Sequence, residues 1–119
     1  MTRTIDQAMC DAFSGPVRNY HNDREMAVAL GFPDIVVQGM MSVCFVAEVM
    51  AARYGAGWHH GGKLDVRLVN VVWANDTVST HGKAREVVGE GSRRRALVDV
   101  WCTKADGTVT LVGTASAIE

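Results

Sequence analysis

The sequence predicts a single α+β domain in which an antiparallel sheet wraps around one buried central helix. Three observations carry this prediction, and the first is the length of 119 residues, which suits one domain. Apolar residues before Gly61 recur at helical spacing, whereas those after it alternate with polar residues as in strands. One helical segment is apolar around almost its whole circumference and needs a cover. We therefore expect residues 1–119 to form one domain.

Two short helices are predicted before the central one. Residues 5–13 carry apolar side chains on one face, and Thr4 and Gln7 stand at the spacing of a capping box. Residues 24–30 form the second predicted helix, which Asp23 would begin as its N-cap.

The central helix is predicted over "GMMSVCFVAEVMAARY", from Gly39 to Tyr54. Only Ser42, Glu48 and Arg53 are clearly polar. A helix of about four turns with so few polar residues cannot lie on a surface, so the strands that follow must cover it.

Strand-like alternation runs through the second half of the chain. Turn signals at Asn75-Asp76 and at residues 105–107 separate the segments. The predicted inward-facing positions are Leu64, Val66, Leu68, Val78, Ala84, Ala96, Val98, Val100, Cys102, Val109, Leu111, Gly113, Ala115 and Ala117. A sheet of this kind around one helix is the hot-dog fold.

Charge and composition exclude several classes of partner. The formal net charge is -1, whereas a protein that binds duplex nucleic acid usually has a basic face. The one basic cluster, residues 93–95, is interpreted as a solvated strand end. No apolar run is long enough to span a bilayer, and the first ten residues lack the apolar core of a signal peptide. We expect a cytoplasmic protein without nucleic acid or membrane partners.

The three cysteines, Cys10, Cys44 and Cys102, are odd in number and lie far apart. They have no metal-site spacing, and their neighbours are apolar. Buried free thiols in a reducing compartment are therefore predicted.

Two residues are candidates for chemistry on chemical grounds alone. His21, in the string "RNYHND", could transfer protons because a free imidazole titrates near neutrality. Gly39 would lie at the first turn of the central helix, where free backbone amides could stabilise a developing negative charge. The alternatives are a polar residue beside a helix cap and a glycine in a tight turn.

The segment "HNDREMAVALGFPDIVVQGMM" resembles the signature of the MaoC-like, or hydratase-2, family. The matching pieces are His21, Asp23, Ala27, Gly31-Phe32 and Gly39-Met40. "LDVRLVNVVWANDTV" and "ADGTVTLVGTASAIE" resemble later strands of the family, so the likeness covers nearly the whole chain.

The resemblance implies hydration of an enoyl thioester, or dehydration of a 3-hydroxyacyl thioester, carried by CoA or acyl carrier protein. By that likeness His21 is the acid/base, and the Gly39 amide contacts the thioester carbonyl. Tyr20, Gln38 and Met40 would line the pocket, and Trp58 is expected near its rim. The family also implies a homodimer with edge-to-edge sheets, and no metal or redox cofactor.

The chain departs from the family pattern at the usual aspartate partner of the histidine. Its position is taken by Pro16, which cannot ionise, and Gln38 replaces a histidine. Groups that could assist His21 instead are Asn19, Asp23, Asp11 and Glu48.

Three functions stay open on this evidence. The first is hydratase or dehydratase chemistry, and the second is another reaction on the same scaffold, such as isomerisation or thioester hydrolysis. A thioesterase would need an attacking carboxylate or a positioned water, and Glu48 is the candidate. The third is an acyl-thioester-binding protein, in which His21 would lack a polar partner.

Overall fold

The computed structural model describes residues 1–119 and contains four helices and five strands. In chain order these are β1 (Thr2–Thr4), α1 (Gln7–Ser14), α2 (Arg24–Ala29), α3 (Gly39–Tyr54), α4 (Ala56–Gly61), β2 (Lys63–Leu68), β3 (Thr77–Glu90), β4 (Arg93–Lys104) and β5 (Val109–Ile118). None of the helices combines the length and apolar character that crossing a membrane requires.

The five strands form one antiparallel sheet in the order β1-β3-β4-β5-β2. Strands β3 and β4 make a long hairpin that pairs Val78 with Lys104 at its base and Glu90 with Arg93 at its tip. The β4–β5 turn contains Gly107 with a φ of 89°, a left-handed conformation that glycine adopts without steric cost. The turn predicted at residues 105–107 is therefore confirmed.

Helix α3 packs its side chains against the inner face of this sheet, which confirms the α+β architecture and the hot-dog fold. The helix begins and ends at the predicted residues, Gly39 and Tyr54. Its buried residues are Met41, Ser42, Phe45, Val46 and Met50. The predicted inward positions that are buried in the sheet are Val78, Ala96, Val98, Val100, Cys102, Leu111, Ala115 and Ala117.

Two predicted inward positions, Leu68 and Ala84, are exposed instead. Leu68 ends the edge strand β2, where its side chain reaches the start of α3 at Gly39 but stays about half exposed. Ala84 lies on the hairpin arm where β3 loses its burial, and the register shifts between Ala84 and Glu86. The hairpin thus extends past the helix that covers its base.

Helix α1 begins two residues later than predicted. Asp6, rather than Thr4, is its N-cap, and the Asp6 carboxylate accepts from the Met9 amide at 2.9 Å. Thr4 is taken by β1, where it pairs with Thr77 of β3. Ile5 then lies fully buried in the core, ahead of the helix.

Helix α4 was not expected, because its sequence "AGWHHG" is rich in glycine, a poor helix former. The glycines have a packing role here. A β-carbon at Gly57 would overlap the backbone of Ile118, so glycine lets α4 approach the end of β5. Trp58 in this helix is half-buried and packs against the core.

Two further expectations about single side chains are wrong. Cys44 is exposed, although Cys10 and Cys102 are buried free thiols as predicted. Arg95 is only 8% exposed rather than solvated. Its guanidinium donates to both Glu90 carboxylate oxygens and to the Gly61 carbonyl at 2.7 Å, which ties α4 to the sheet.

The burial of α3 can be tested with two methionines of the same helix. Met50 is 1% exposed and Met40 is 54% exposed. Met50→Ala removes core contacts and should lower the free energy of unfolding by about 2–5 kcal/mol. Met40→Ala should change it by less than about 0.5 kcal/mol. Urea unfolding measures both, and equal losses would contradict the placement of the helix.

Candidate active site

A cavity of about 420 Å³ lies at the N-terminal end of α3. Eight of its 13 lining residues are hydrophobic, including Phe32 and the valines that precede α3 or follow β2. The other five are His21, Gly39, Ser42, Asn70 and Thr110. A mostly apolar wall with a few polar groups is typical of a small-molecule site.

His21 lies on this wall with its ring in a defined orientation. Its Nδ1 is 2.8 Å from the Val36 carbonyl oxygen, an acceptor, so Nδ1 carries the hydrogen and donates it. The His21 backbone amide donates to the Asn19 side-chain oxygen, also at 2.8 Å. Nε2 has no partner in the chain. In the neutral ring it is therefore a free proton acceptor beside the cavity.

Aromatic rings support His21 from one side. The Tyr20 and His21 rings have centroids 3.9 Å apart, and Tyr20 is in turn stacked with Phe32 at 5.9 Å. Phe32 also contacts Trp73, with ring centroids 6.4 Å apart. Tyr20 lines the cavity, as the sequence predicts.

Gly39 is the first residue of α3, and its amide has no acceptor within the chain. Free amides and the helix dipole make this end of a helix favourable for negative charge. A β-carbon at position 39 would overlap a methyl group of Leu68, so glycine keeps the helix start open with Leu68 in place.

The Asn19 side chain makes its hydrogen bonds to the backbone of its own loop and none to the His21 ring. Its amide nitrogen donates to the Ser14 and Val17 carbonyls at 3.0 and 2.8 Å, and its oxygen accepts from the His21 amide. All its polar groups are therefore engaged locally. Asn19 therefore positions His21 through its backbone amide and makes no hydrogen bond to the ring.

Asp23 is also engaged away from the cavity. Its carboxylate caps α2 by accepting from the Met26 amide at 3.0 Å and pairs with Arg18 at 2.8 Å. The hydrogen bond from Arg18, together with that from Met26, lowers the pKa of Asp23. The N-cap role predicted for Asp23 is therefore confirmed, and its carboxylate, outside the cavity lining, is not placed to assist His21.

Two residues predicted to line the pocket, Gln38 and Met40, are absent from the cavity lining, as is Trp58, which was expected near the rim. Gln38 is the N-cap of α3, and its side-chain oxygen accepts from the Ser14 hydroxyl at 2.7 Å. Met40 points into solvent on the exposed side of the helix. Trp58 packs on the core from α4. Met40 does not line the cavity because successive residues of an α-helix point about 100° apart, so it faces a different direction from Gly39.

No carboxylate replaces the one missing at Pro16. The cavity lining contains no Asp or Glu, and Pro16 itself is exposed and outside it. Glu48 pairs with Arg3 at 2.6 Å, and Asp11 accepts from Gln7 at 2.9 Å. No group of three or more His, Cys, Asp or Glu side chains could hold a metal ion.

The sequence reasoning missed Ser42 and the segment after β2 as parts of the site. Ser42 had a signal, because it is a rare polar residue in α3 and follows Gly39 by three residues, on the same helix face. Asn70 and Thr110 had none, since only the tertiary fold brings them to the cavity.

The sequence matches the family model described as "MaoC like domain" over residues 1–105. The chain belongs to the MaoC-like family. The resemblance drawn from residues 21–41 is therefore confirmed, and at the level of the family the match supports hydro-lyase chemistry. Among curated proteins, no sequence matches this chain.

Solved structures of MaoC-like proteins share the fold. An R-hydratase from Pseudomonas aeruginosa superposes with a TM-score of 0.81 at 18% identity, covering 99% of this chain and 76% of that one. The (R)-hydratase of A. caviae involved in PHA biosynthesis gives 0.80 at 15%, with 98% and 89% covered. A 3R-hydroxyacyl-ACP dehydratase complex from Mycobacterium tuberculosis gives 0.73 at 16%, with 100% and 90% covered.

The hydrogen bond to Val36 predicts the tautomer of His21. Nitrogen-15 NMR of histidine-labelled protein should show the hydrogen of the neutral His21 ring on Nδ1. The signal is assigned by its loss in His21→Gln. A hydrogen on Nε2 would contradict this hydrogen bond and remove the proton acceptor from the cavity.

Proposed function

We propose that the protein is a hydratase/dehydratase that interconverts an enoyl thioester and a 3-hydroxyacyl thioester of CoA or acyl carrier protein. The observation that carries this proposal is one cavity with a free imidazole nitrogen and a free helix-terminal amide in its wall. The first can move a proton, and the second can hold a carbonyl oxygen.

In the dehydration direction His21 Nε2 removes a proton from the carbon next to the thioester carbonyl. The electron pair of that C–H bond moves toward the carbonyl oxygen, where the Gly39 amide stabilises the negative charge. The pair then forms the carbon–carbon double bond as the C–O bond to the 3-hydroxyl breaks. The Nε2 proton passes to the leaving oxygen, which departs as water. Hydration is the reverse.

The apolar remainder of the cavity suits the acyl chain of such a substrate. Val36, Val37 and the segment from Leu68 to Val72 provide a surface without charged side chains. Burial of methylene groups there would contribute about 0.8 kcal/mol each to binding.

A homodimer is part of the proposal. Strand β1 pairs with β3 only over Thr77–Ser79, so the remainder of that long strand has no neighbour on its outer side. An unpaired edge of this length is a ready surface for pairing with a second copy of the chain.

The other two functions receive less support. A thioesterase that uses Glu48 is disfavoured, because Glu48 is paired with Arg3 outside the cavity. A protein that only binds thioesters would not need a held imidazole, yet His21 donates to Val36.

The proposal predicts that His21 is essential for turnover. His21→Ala should lower kcat/KM on the order of 10²–10⁴-fold, because no other base lines the cavity. The measurement follows loss of the conjugated double bond with trans-2-enoyl-CoA esters of short to long chain, alongside release of free thiol. His60→Ala is the matched control, since His60 is exposed on α4.

Equal loss in both histidine variants would point to unfolding rather than chemistry. Thiol release without double-bond loss would replace the lyase with a thioesterase. Inactivity of the wild-type protein on all CoA esters, and on the same acyl groups carried by acyl carrier protein, would sink the proposal.

A further inference from the structure

The hydroxyl of Ser42 is a buried polar group without a partner. Ser42 is 2% exposed, and its Oγ makes no hydrogen bond within the chain. Every side-chain oxygen that is fully shielded from solvent has a hydrogen-bond partner. Because the Ser42 Oγ has no partner, it must be in contact with accessible space. The residue lines the cavity, and that space is the cavity itself.

Ser42 lies three residues after Gly39 on α3, and both residues line the cavity. Residues three apart on a helix are neighbours, with β-carbons about 5–6 Å apart, and side chains lean toward the N-terminus. A helical serine often donates back to a carbonyl one turn earlier, which Ser42 does not do. The Ser42 hydroxyl is therefore free to donate a hydrogen bond to a molecule in the cavity.

The remaining polar groups of the wall are engaged or lie beside the base. The Asn70 amide nitrogen donates to the Val109 carbonyl at 2.7 Å, and the Thr110 hydroxyl donates to the Cys102 carbonyl at 3.4 Å. Tyr20 lies against the His21 ring. Ser42 is thus the free side-chain donor at the helix end of the cavity.

We infer that the Ser42 hydroxyl is a catalytic residue that donates a hydrogen bond to the thioester carbonyl oxygen together with the Gly39 amide. This inference rests on the proposed function. No Lys or Arg lines the cavity, so the donors at the start of α3 are the groups placed to stabilise the charge that develops on that oxygen. A hydroxyl and an amide from one helical turn provide two such donors on a rigid element.

Ser42→Ala should lower kcat for enoyl-CoA hydration on the order of 10²-fold, the loss typical of one oxyanion donor. KM should change far less, because the hydrogen bond strengthens as the charge develops. Alanine is a good helix former, so the variant should fold, which circular dichroism and the Tm verify. Ser79→Ala, on β3 and outside the cavity, is the control.

A second measurement does not depend on turnover. Infrared spectra of bound hexanoyl-CoA, labelled with carbon-13 at the carbonyl, report hydrogen bonding to that oxygen, and this saturated thioester cannot react. The carbonyl band should lie at lower frequency in the wild type than in Ser42→Ala. His21→Ala and Ser79→Ala should retain the wild-type band.

The two measurements separate the inference from the proposed function. An inactive wild type with a band shift that depends on Ser42 would refute the lyase and support the donor. An active wild type with an unchanged band and unchanged kcat in Ser42→Ala would overturn the donor and leave the lyase standing. Failure of hexanoyl-CoA to bind the wild type would overturn the donor as well.

Discussion

The fold depends on covering the apolar side of the 16-residue helix α3 that carries Phe45, Val46 and Met50. Strands β3, β4 and β5 supply the cover, with buried residues such as Val78, Val100 and Leu111. A sheet can cover the side of a helix but cannot satisfy the free amides of its first turn. Those amides need water or a ligand, and the cavity lies at that end. The packing of α3 against the sheet therefore forms the core and leaves its N-terminal amides facing the cavity.

The His21 ring and the start of α3 are linked through Val36. Val36 donates its amide to the Tyr20 carbonyl at 3.1 Å and accepts from the His21 ring at 2.8 Å. Three residues later Gly39 begins α3. Because this segment is hydrogen-bonded on one side and helical on the other, the proton acceptor and the amide donor keep a fixed separation. Pre-organised geometry of this kind is what lowers the barrier of a proton-transfer reaction.

Most of the fold could be predicted from periodicity, and less of the site. Helix α3 and the inward faces of β4 and β5 follow from local patterns that burial reinforces. Helix α4 could not be predicted, because a glycine-rich sequence is typical of a loop. Its glycines are there because they allow close packing against Ile118, which only the structure shows. His21 and Gly39 were candidates on chemical grounds, and the likeness to a family signature supplied their expected roles. Ser42 required the structure, since a hydroxyl becomes informative only once its burial and its lack of a partner are known.

The partner of His21 Nδ1 is the backbone carbonyl of Val36, whereas the family pattern has an aspartate carboxylate as the partner of the histidine. This difference affects the chemistry that His21 can perform. The Val36 oxygen orients the ring but carries no full charge, so it stabilises an imidazolium less than an aspartate would. In the proposed reaction, with no Asp or Glu in the cavity lining, the same His21 nitrogen takes the proton from carbon and returns it to the leaving oxygen. A single group can reach both atoms only if they lie on the same face of the acyl chain. The proposed elimination is therefore syn, and the stereochemistry follows from the absence of a second base.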